Sequence, residues 1–317
     1  MTGADDLRAR FDVPGLVIVR GAGDIATGAI QRLVHAGLAV VALDVPDPSA
    51  IRWRAALCTA LREGRWQVED MTGVRAADWS QAARLLGPGG DAARLPGTRW
   101  VVPVLPDPGC SVLDEVRPWA LVDAILAKRN LGTNRAMAPV TVGCGPGFVA
   151  GVDVDYVVET MRGHHLGRVI CEGPAIPNTG IPGLIAGRAA ERVMHSPVAG
   201  PVEVRRNIGD VVAAGEVVCI VHGADGPAEV GASIAGVIRG MIPDGFTVPP
   251  RFKIADVDPR VELADCVDTI SDKSRAVGGG ALDAVLQGLV ARGLWGPAWV
   301  SDAVAPTLAA PAAAEGT

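Results

Sequence analysis

The apolar run LVIV at 16–19 passes directly into RGAGDIATGAIQRLVHAG and then into LAVVALD at 38–44. A continuous apolar run of this length reads as a strand buried on both faces. Ile25, Ala29, Leu33 and Val34 then fall on one helical stripe, and Gly37 stands where that helix would end. Strand, glycine-rich turn, helix and strand open an α/β fold, so a Rossmann-like doubly wound parallel sheet is expected over 15–190. WVVPVL at 100–105, WALVDAIL at 119–126 and APVTVG at 138–143 continue the alternation, with AADWSQAARLLG near 76–87 reading as a helix.

From about 190 the texture changes to short Val-rich runs broken by glycine, as in MHSPVAGPVEVRRNIGDVVAAGEVVCIV, and a similar rhythm returns over 232–260. That pattern predicts a small inserted all-β module over 191–262. Residues 263–292 read as a glycine-rich turn and a helix returning to the α/β part. Residues 1–14 read as an N-terminal extension, and 293–317, rich in Ala and Pro, as a disordered tail.

The chain of 317 residues carries 29 Lys+Arg and 35 Asp+Glu, a formal charge of −6, with 4% aromatics. A nucleic-acid partner usually needs a basic patch or aromatic stacking platforms, and this composition argues against both. Mean hydropathy is +0.29. It comes from scattered Val, Ala and Leu rather than a run of about 18 apolar residues, so no membrane span is expected. The first residues lack an apolar signal core, which leaves the cytoplasm as the expected location. The six cysteines include no C-x-x-C pair, so neither a zinc site nor a disulfide framework is expected. Only Lys128, Lys253 and Lys273 are lysines; the arginine excess reads as base-composition bias.

GAGDIA at 21–26 fits the G-x-G-x-x-G/A dinucleotide pattern. Gly21 permits the turn, Gly23 admits a pyrophosphate, and Ala26 allows close helix–strand packing. Asp44, 23 residues after Gly21, stands where a carboxylate would meet a ribose hydroxyl. The bland alternative is a tight turn with no ligand. Asp24 suits the helix dipole but would repel a phosphate; it is open to a hydroxyl, amide or metal. VGCGPGF at 142–148 places Gly143, Gly145 and Gly147 in a second such loop, to be read either as a phosphate-facing loop or as a connector. Cys144 within it reads better as a buried thiol than as a nucleophile. AKRNLGTNR brings Lys128, Arg129 and Arg135 to one edge, and EGPAIPNTGIPG could present backbone N–H groups around Asn178 and Thr179. No metal pattern joins the histidines. Asp256 and Asp258 read as a salt-bridged turn with Arg260. GGG at 278–280 is too degenerate to count as a further phosphate loop.

Together VIVRGAGDIATG, LVDAILAKRNLGT, APVTVGCGPGF, ETMRGHHLGRV, EGPAIPNTGIPG, FKIADVDPR and ISDKSRAVGGG resemble the YqeB family of selenium-dependent molybdenum hydroxylase system proteins, over about residues 15–292. The resemblance implies an accessory role in maturing xanthine dehydrogenase-like molybdenum hydroxylases. The first fingerprint also resembles XdhC-type accessory proteins over about 30 residues. SPVAGPV, IGDVV and AAGEVV resemble a biotinyl or lipoyl barrel-sandwich hybrid, although HGADGPAEV at 222–230 lacks the lysine such carriers modify. The resulting expectation is a site between the two glycine-rich loops for a phosphate-bearing cofactor, molybdopterin or its cytosine dinucleotide. Apo molybdenum hydroxylase and its maturation proteins would be the partners. An NAD-dependent oxidoreductase and a non-catalytic docking scaffold are the alternatives.

Overall fold

The computed structural model describes residues 13–180 and 186–296. Most of the expected N-terminal extension and tail therefore lies outside the described residues. The first strand, β1 (Leu16–Arg20), leads into helix α1 (Asp24–His35) and strand β2 (Ala39–Leu43). There follow a one-turn helix α2 (Ala60–Glu63), strands β3 (Arg65–Val68) and β4 (Met71–Arg75), helix α3 (Trp79–Leu86), and strands β5 (Trp100–Leu105), β6 (Ala120–Asp123) and β7 (Val140–Cys144). Strands β8 (Val149–Ala150), β9 (Tyr156–Val158), β10 (Val169–Ile170) and β11 (Gly173–Pro174) complete this part.

Nine of these strands form one sheet in the order β10-β9-β7-β6-β1-β2-β5-β4-β3. Its interior pairs are parallel, with Ile18 opposite both Val41 and Leu121, while the edge pairs β9–β10 and β3–β4 are antiparallel. Alternation along the strands serves two cores. Val17 and Val19 face α1, and Leu16 and Ile18 face the opposite cluster with Ala82 of α3. Every one of these side chains is withdrawn from solvent, which is worth roughly 1.5–3 kcal/mol for each large aliphatic group.

Beyond residue 190 the strands are β12 (Val193–His195), β13 (Gly200–Val204), β14 (Val211–Val212), β15 (Val217–Gly223), β16 (Gly226–Gly231), β17 (Gly236–Met241), β18 (Thr247–Val248) and β19 (Lys253–Asp258). They make two four-stranded antiparallel sheets, β12-β19-β17-β14 and β16-β15-β13-β18, around a core that includes Val218, Ile238 and Ile254. The last helix, α4 (Asp272–Ala291), returns to pack along α1 and against β7 and β9.

The architecture corrects the expected Rossmann-like doubly wound parallel sheet with an inserted barrel-sandwich module. The large sheet is mixed, because β3 and β4 form a hairpin whose turn holds Glu69 at φ 50°. The connections β6–β7 and β7–β9 carry no helix of their own, so α4, arriving from the far end of the chain, covers that half of the sheet. Nor do the sheets beyond 190 stand apart as an inserted barrel. The Met241 N–H donates to the Ile51 carbonyl at 2.8 Å, and Gly240 lies against the Ile51 side chain.

Close approach of α1 and α4 depends on glycine. A Cβ on Gly28 would stand 2.3 Å from the Ser274 carbonyl oxygen, and one on Gly278 2.3 Å from that of Gly28. Gly280 meets the Gly167 carbonyl in the same way. Gly278 and Gly280 of the GGG run thus form a packing seam, accepted despite the roughly 1 kcal/mol that each helical glycine costs. Glu69 ties the start of α4 in place, accepting from the Ile270 N–H at 2.9 Å and pairing with Arg275.

Candidate functional site

Because Gly28 and Ser274 touch near the beginnings of α1 and α4, the N-termini of both helices open on one cavity. It measures about 990 Å³, at the upper end of the range for small-molecule sites. An arm of about 200 Å³ joins it through Asp24, Arg162, Arg192 and Lys273. Helix α1 begins at Gly23 with no side-chain cap, whereas Ser271 caps α4 by accepting from the Ser274 N–H at 3.1 Å. Free N–H groups and the dipole at such ends favour anions.

All three lysines of the chain, Lys128, Lys253 and Lys273, line the main cavity with Arg162 and Arg192. Arg52 and Arg239 line the arm. Some of this charge is balanced. Arg52 donates to Asp24 at 3.0 Å, Arg192 to Asp256 at 2.9 Å, and Arg162 grips Asp272 at 2.9 and 3.2 Å. Lys253 approaches Asp256 at 3.8 Å. Among the described residues, Lys128, Lys273 and Arg239 make no side-chain hydrogen bond or ion pair. Burial, and then the Arg52 guanidinium, hold Arg239 below its ordinary pKa. Burial and the Arg162 cation do the same to Lys273. An anion entering here would relieve that repulsion.

Several elements aim these groups. Arg239 is the one charge in the apolar strand β17, GVIRGM. Lys128 lies in the β6–β7 connection, where both it and Leu126 take left-handed backbone, φ 62° and 61°. Such conformations are uncommon away from glycine and concentrate at sites where the surroundings enforce them.

The residues singled out in the sequence divide between locations. Asp24, Asn178 and Thr179 line the cavity, as does Pro146 of the second glycine-rich loop. Gly23 borders it as the cap of α1, and a Cβ there would meet nothing within 4 Å. Ala26, in the first turn of α1, is fully buried. Gly21 and Asp44 line a separate slot of about 170 Å³ that shares no lining residue with the cleft. Asp44 also spends both carboxylate oxygens on backbone, accepting from Ala22 at 2.7 Å and Val45 at 2.8 Å. Burial raises its pKa against those bonds.

The second loop is filled by protein. Cβ atoms on Gly143, Gly145 and Gly147 would strike the Phe148 ring, the Thr160 hydroxyl and the Arg129 backbone at 2.4, 2.7 and 2.6 Å. Arg135 lies outside the cleft, bound to Asp155 at 3.0 Å and to the Gly151 carbonyl at 3.2 Å. Cys144 is fully buried, and burial pushes its thiol pKa far up. Asp258 pairs with Arg260 at 2.8 Å and Asp256 with Arg192. Among the described residues no group of three or more His, Cys, Asp or Glu side chains is placed to hold a metal ion. None of the described helices is long and apolar enough to cross a membrane.

Sequence reasoning missed Arg52, Arg162, Arg192, Arg239, Lys253 and Lys273. Two signals were present: the scarcity of lysine, and an arginine amid an apolar strand, where an unpaired charge is costly.

No family model matches the chain. Among solved structures, similarity extends to an aspartoacylase family protein from Mesorhizobium loti, 14% identical and covering 78% of this chain and 86% of that one, TM-score 0.25. A succinylglutamate desuccinylase/aspartoacylase from Rhodobacter sphaeroides is 16% identical, covering 77% and 85%, TM-score 0.25. Likeness at that level carries no argument, and the correction of the fold rests on the mixed sheet itself. In sequence the chain is 46% identical over 271 residues to the uncharacterized protein YqeB of Escherichia coli K12, a match spanning 86% of this chain. It spans 47%, about half, of the length of that relative. Over the shared region this match supports the YqeB family, the one that the chain's motifs resemble.

Proposed function

We propose that the protein binds a small phosphate-bearing ligand in the cleft at the α1 and α4 N-termini. The observation that carries this reading is the set of unpaired cations, Lys128, Lys273 and Arg239, around a cavity that also holds the chain's remaining lysine. Lys273 and Arg239 are partly withdrawn from water, where an unpaired cation is unfavourable unless something compensates it, and a phosphate does so at several donors at once, with the exposed Lys128 adding a further cation. These three side chains would neutralise phosphate, while Asn178 and Thr179 offer polar groups to the rest of the ligand.

The family resemblance makes molybdopterin, or its cytosine dinucleotide, the ligand of choice. On this reading the cofactor is held in the cytoplasm for modification or for delivery to an apo molybdenum hydroxylase together with its maturation proteins. The NAD alternative is less well supported, because Asp44 faces a different slot and is already engaged by backbone N–H groups. Native mass spectrometry of freshly purified protein, with acid release of any bound molecule, tests the reading against molybdopterin and NAD standards. Release of a phosphorylated pterin is expected; release of NAD without pterin would overturn the choice of cofactor.

A further inference from the structure

We propose that Lys273 is the nucleophile of this cleft, a primary amine that forms an imine with the aldehyde or ketone carbon of an anionic ligand. The proposal rests on the anion-binding reading above. Its first support is residue choice. The chain uses arginine for 26 of its 29 basic residues, yet every lysine lies in this one cavity. Arginine binds phosphate at least as well and cannot shed its proton. Lysine is the cation to use where a neutral amine is needed.

The three lysines are not equivalent. Lys128 is exposed, and Lys253 is more than a third exposed and already has a carboxylate partner, Asp256, at 3.8 Å. Lys273 is partly buried, has no ion pair, and occupies the first turn of α4, where the helix dipole disfavours a cation. The charged groups that act on its amine are Arg162 and Lys128, of like sign, and Asp24 and Glu159, of opposite sign. Both acids are already committed, Asp24 to Arg52 and Glu159 to the Met161 and Ile176 N–H groups. Burial and the cations prevail, and the amine is held below its usual value of 10.5. Desolvation beside another cation is a recognised way to activate a lysine for imine formation.

In the step itself the nitrogen lone pair adds to the carbonyl carbon while a nitrogen proton passes to the oxygen through cleft water, giving a carbinolamine. The C–O bond then breaks, the oxygen leaves as water with the second nitrogen proton, and the C=N bond forms. Arg239 and Lys128 hold the anionic part of the ligand throughout. No oxidant or reductant is involved.

Pyridoxal 5′-phosphate carries both an aldehyde and a phosphate and is a suitable probe. The full chain is incubated with it across a pH series, reduced with borohydride and mapped by peptide mass spectrometry, with and without inorganic pyrophosphate. Lys273 is expected to be labelled at least tenfold faster than Lys128 or Lys253, with a pH midpoint below 10.5 and with protection by pyrophosphate. Lys273→Arg should lose that label. Equal labelling of the three lysines, or none, in a protein that still binds pyrophosphate overturns the proposal and leaves the cleft reading standing. Failure to bind pyrophosphate overturns the cleft reading itself.

Discussion

GAGDIA and VGCGPGF look alike in sequence and differ in the space around their glycines. In the first, Gly21 is closed by the Ala124 backbone 3.0 Å from where its Cβ would stand, but Gly23 faces open space at an uncapped helix start beside unpaired cations. In the second, Gly143, Gly145 and Gly147 are occupied on their Cβ side by Phe148, Thr160 and the Arg129 backbone. One glycine-rich loop leaves room for a ligand; the other lets the protein close on itself. A run of glycines in sequence reports that a Cβ is unwelcome, and only the structure says whether a ligand or the chain takes its place.

Alanine at Gly147 is the severest test of that contrast. It would impose a positive φ of 111° on a residue with a side chain and drive its Cβ into backbone 2.6 Å away. A loss of at least about 3 kcal/mol in chemical denaturation is expected; a loss under about 1 kcal/mol would end the distinction. Arg239→Gln comes next, with pyrophosphate affinity falling at least about tenfold, near 1.4 kcal/mol, in calorimetry. The same variant should melt slightly higher without ligand, because a half-buried unpaired charge is gone. Gly23→Ala should cost no more than about 1 kcal/mol of stability, the scale of a poorer helix cap, yet weaken pyrophosphate severalfold by crowding it. Unchanged affinity would remove the first loop from the site.

The smallest effect concerns the start of α4. The Arg162 guanidinium holds the Asp272 carboxyl at about 2, below its ordinary 3.8. A carboxylate with a lowered folded pKa contributes stability above about 3.8 that is lost as pH falls through about 2. Because the Asp272 side chain is 74% exposed, the contribution is held to about 1 kcal/mol or less. Asp272→Asn should be less stable than the parent at pH 5 and equal to it near pH 2, as read by thermal melts in low salt.

The unit β1–α1–β2 was legible because both of its signals are local: a continuous apolar run that is buried throughout Leu16–Arg20, and a helical stripe of which Ala29, Leu33 and Val34 are buried. The mixed sheet was not. Nothing near Val140 announces that Gly288, some 150 residues later, will pack on it, and only that contact replaces the missing crossover helix. In the site, Asp24, Asn178 and Thr179 were found from their loops. Asp44 was placed by a spacing rule that assumes a dinucleotide, whereas this carboxylate closes the turn by accepting from Ala22. Arg135 read as a phosphate ligand because its partner Asp155, 20 residues on, could not be seen from sequence. The seven cleft cations come from seven separate segments, and residues so far apart converge only through the fold.

Calorimetric titration of inorganic pyrophosphate into the 317-residue chain, at two salt concentrations and alongside Arg239→Gln, tests the basic cleft most directly. Saturable binding that weakens with salt, and at least tenfold further in the variant, is the expected result. Absence of binding, or equal affinity in parent and variant, would contradict it.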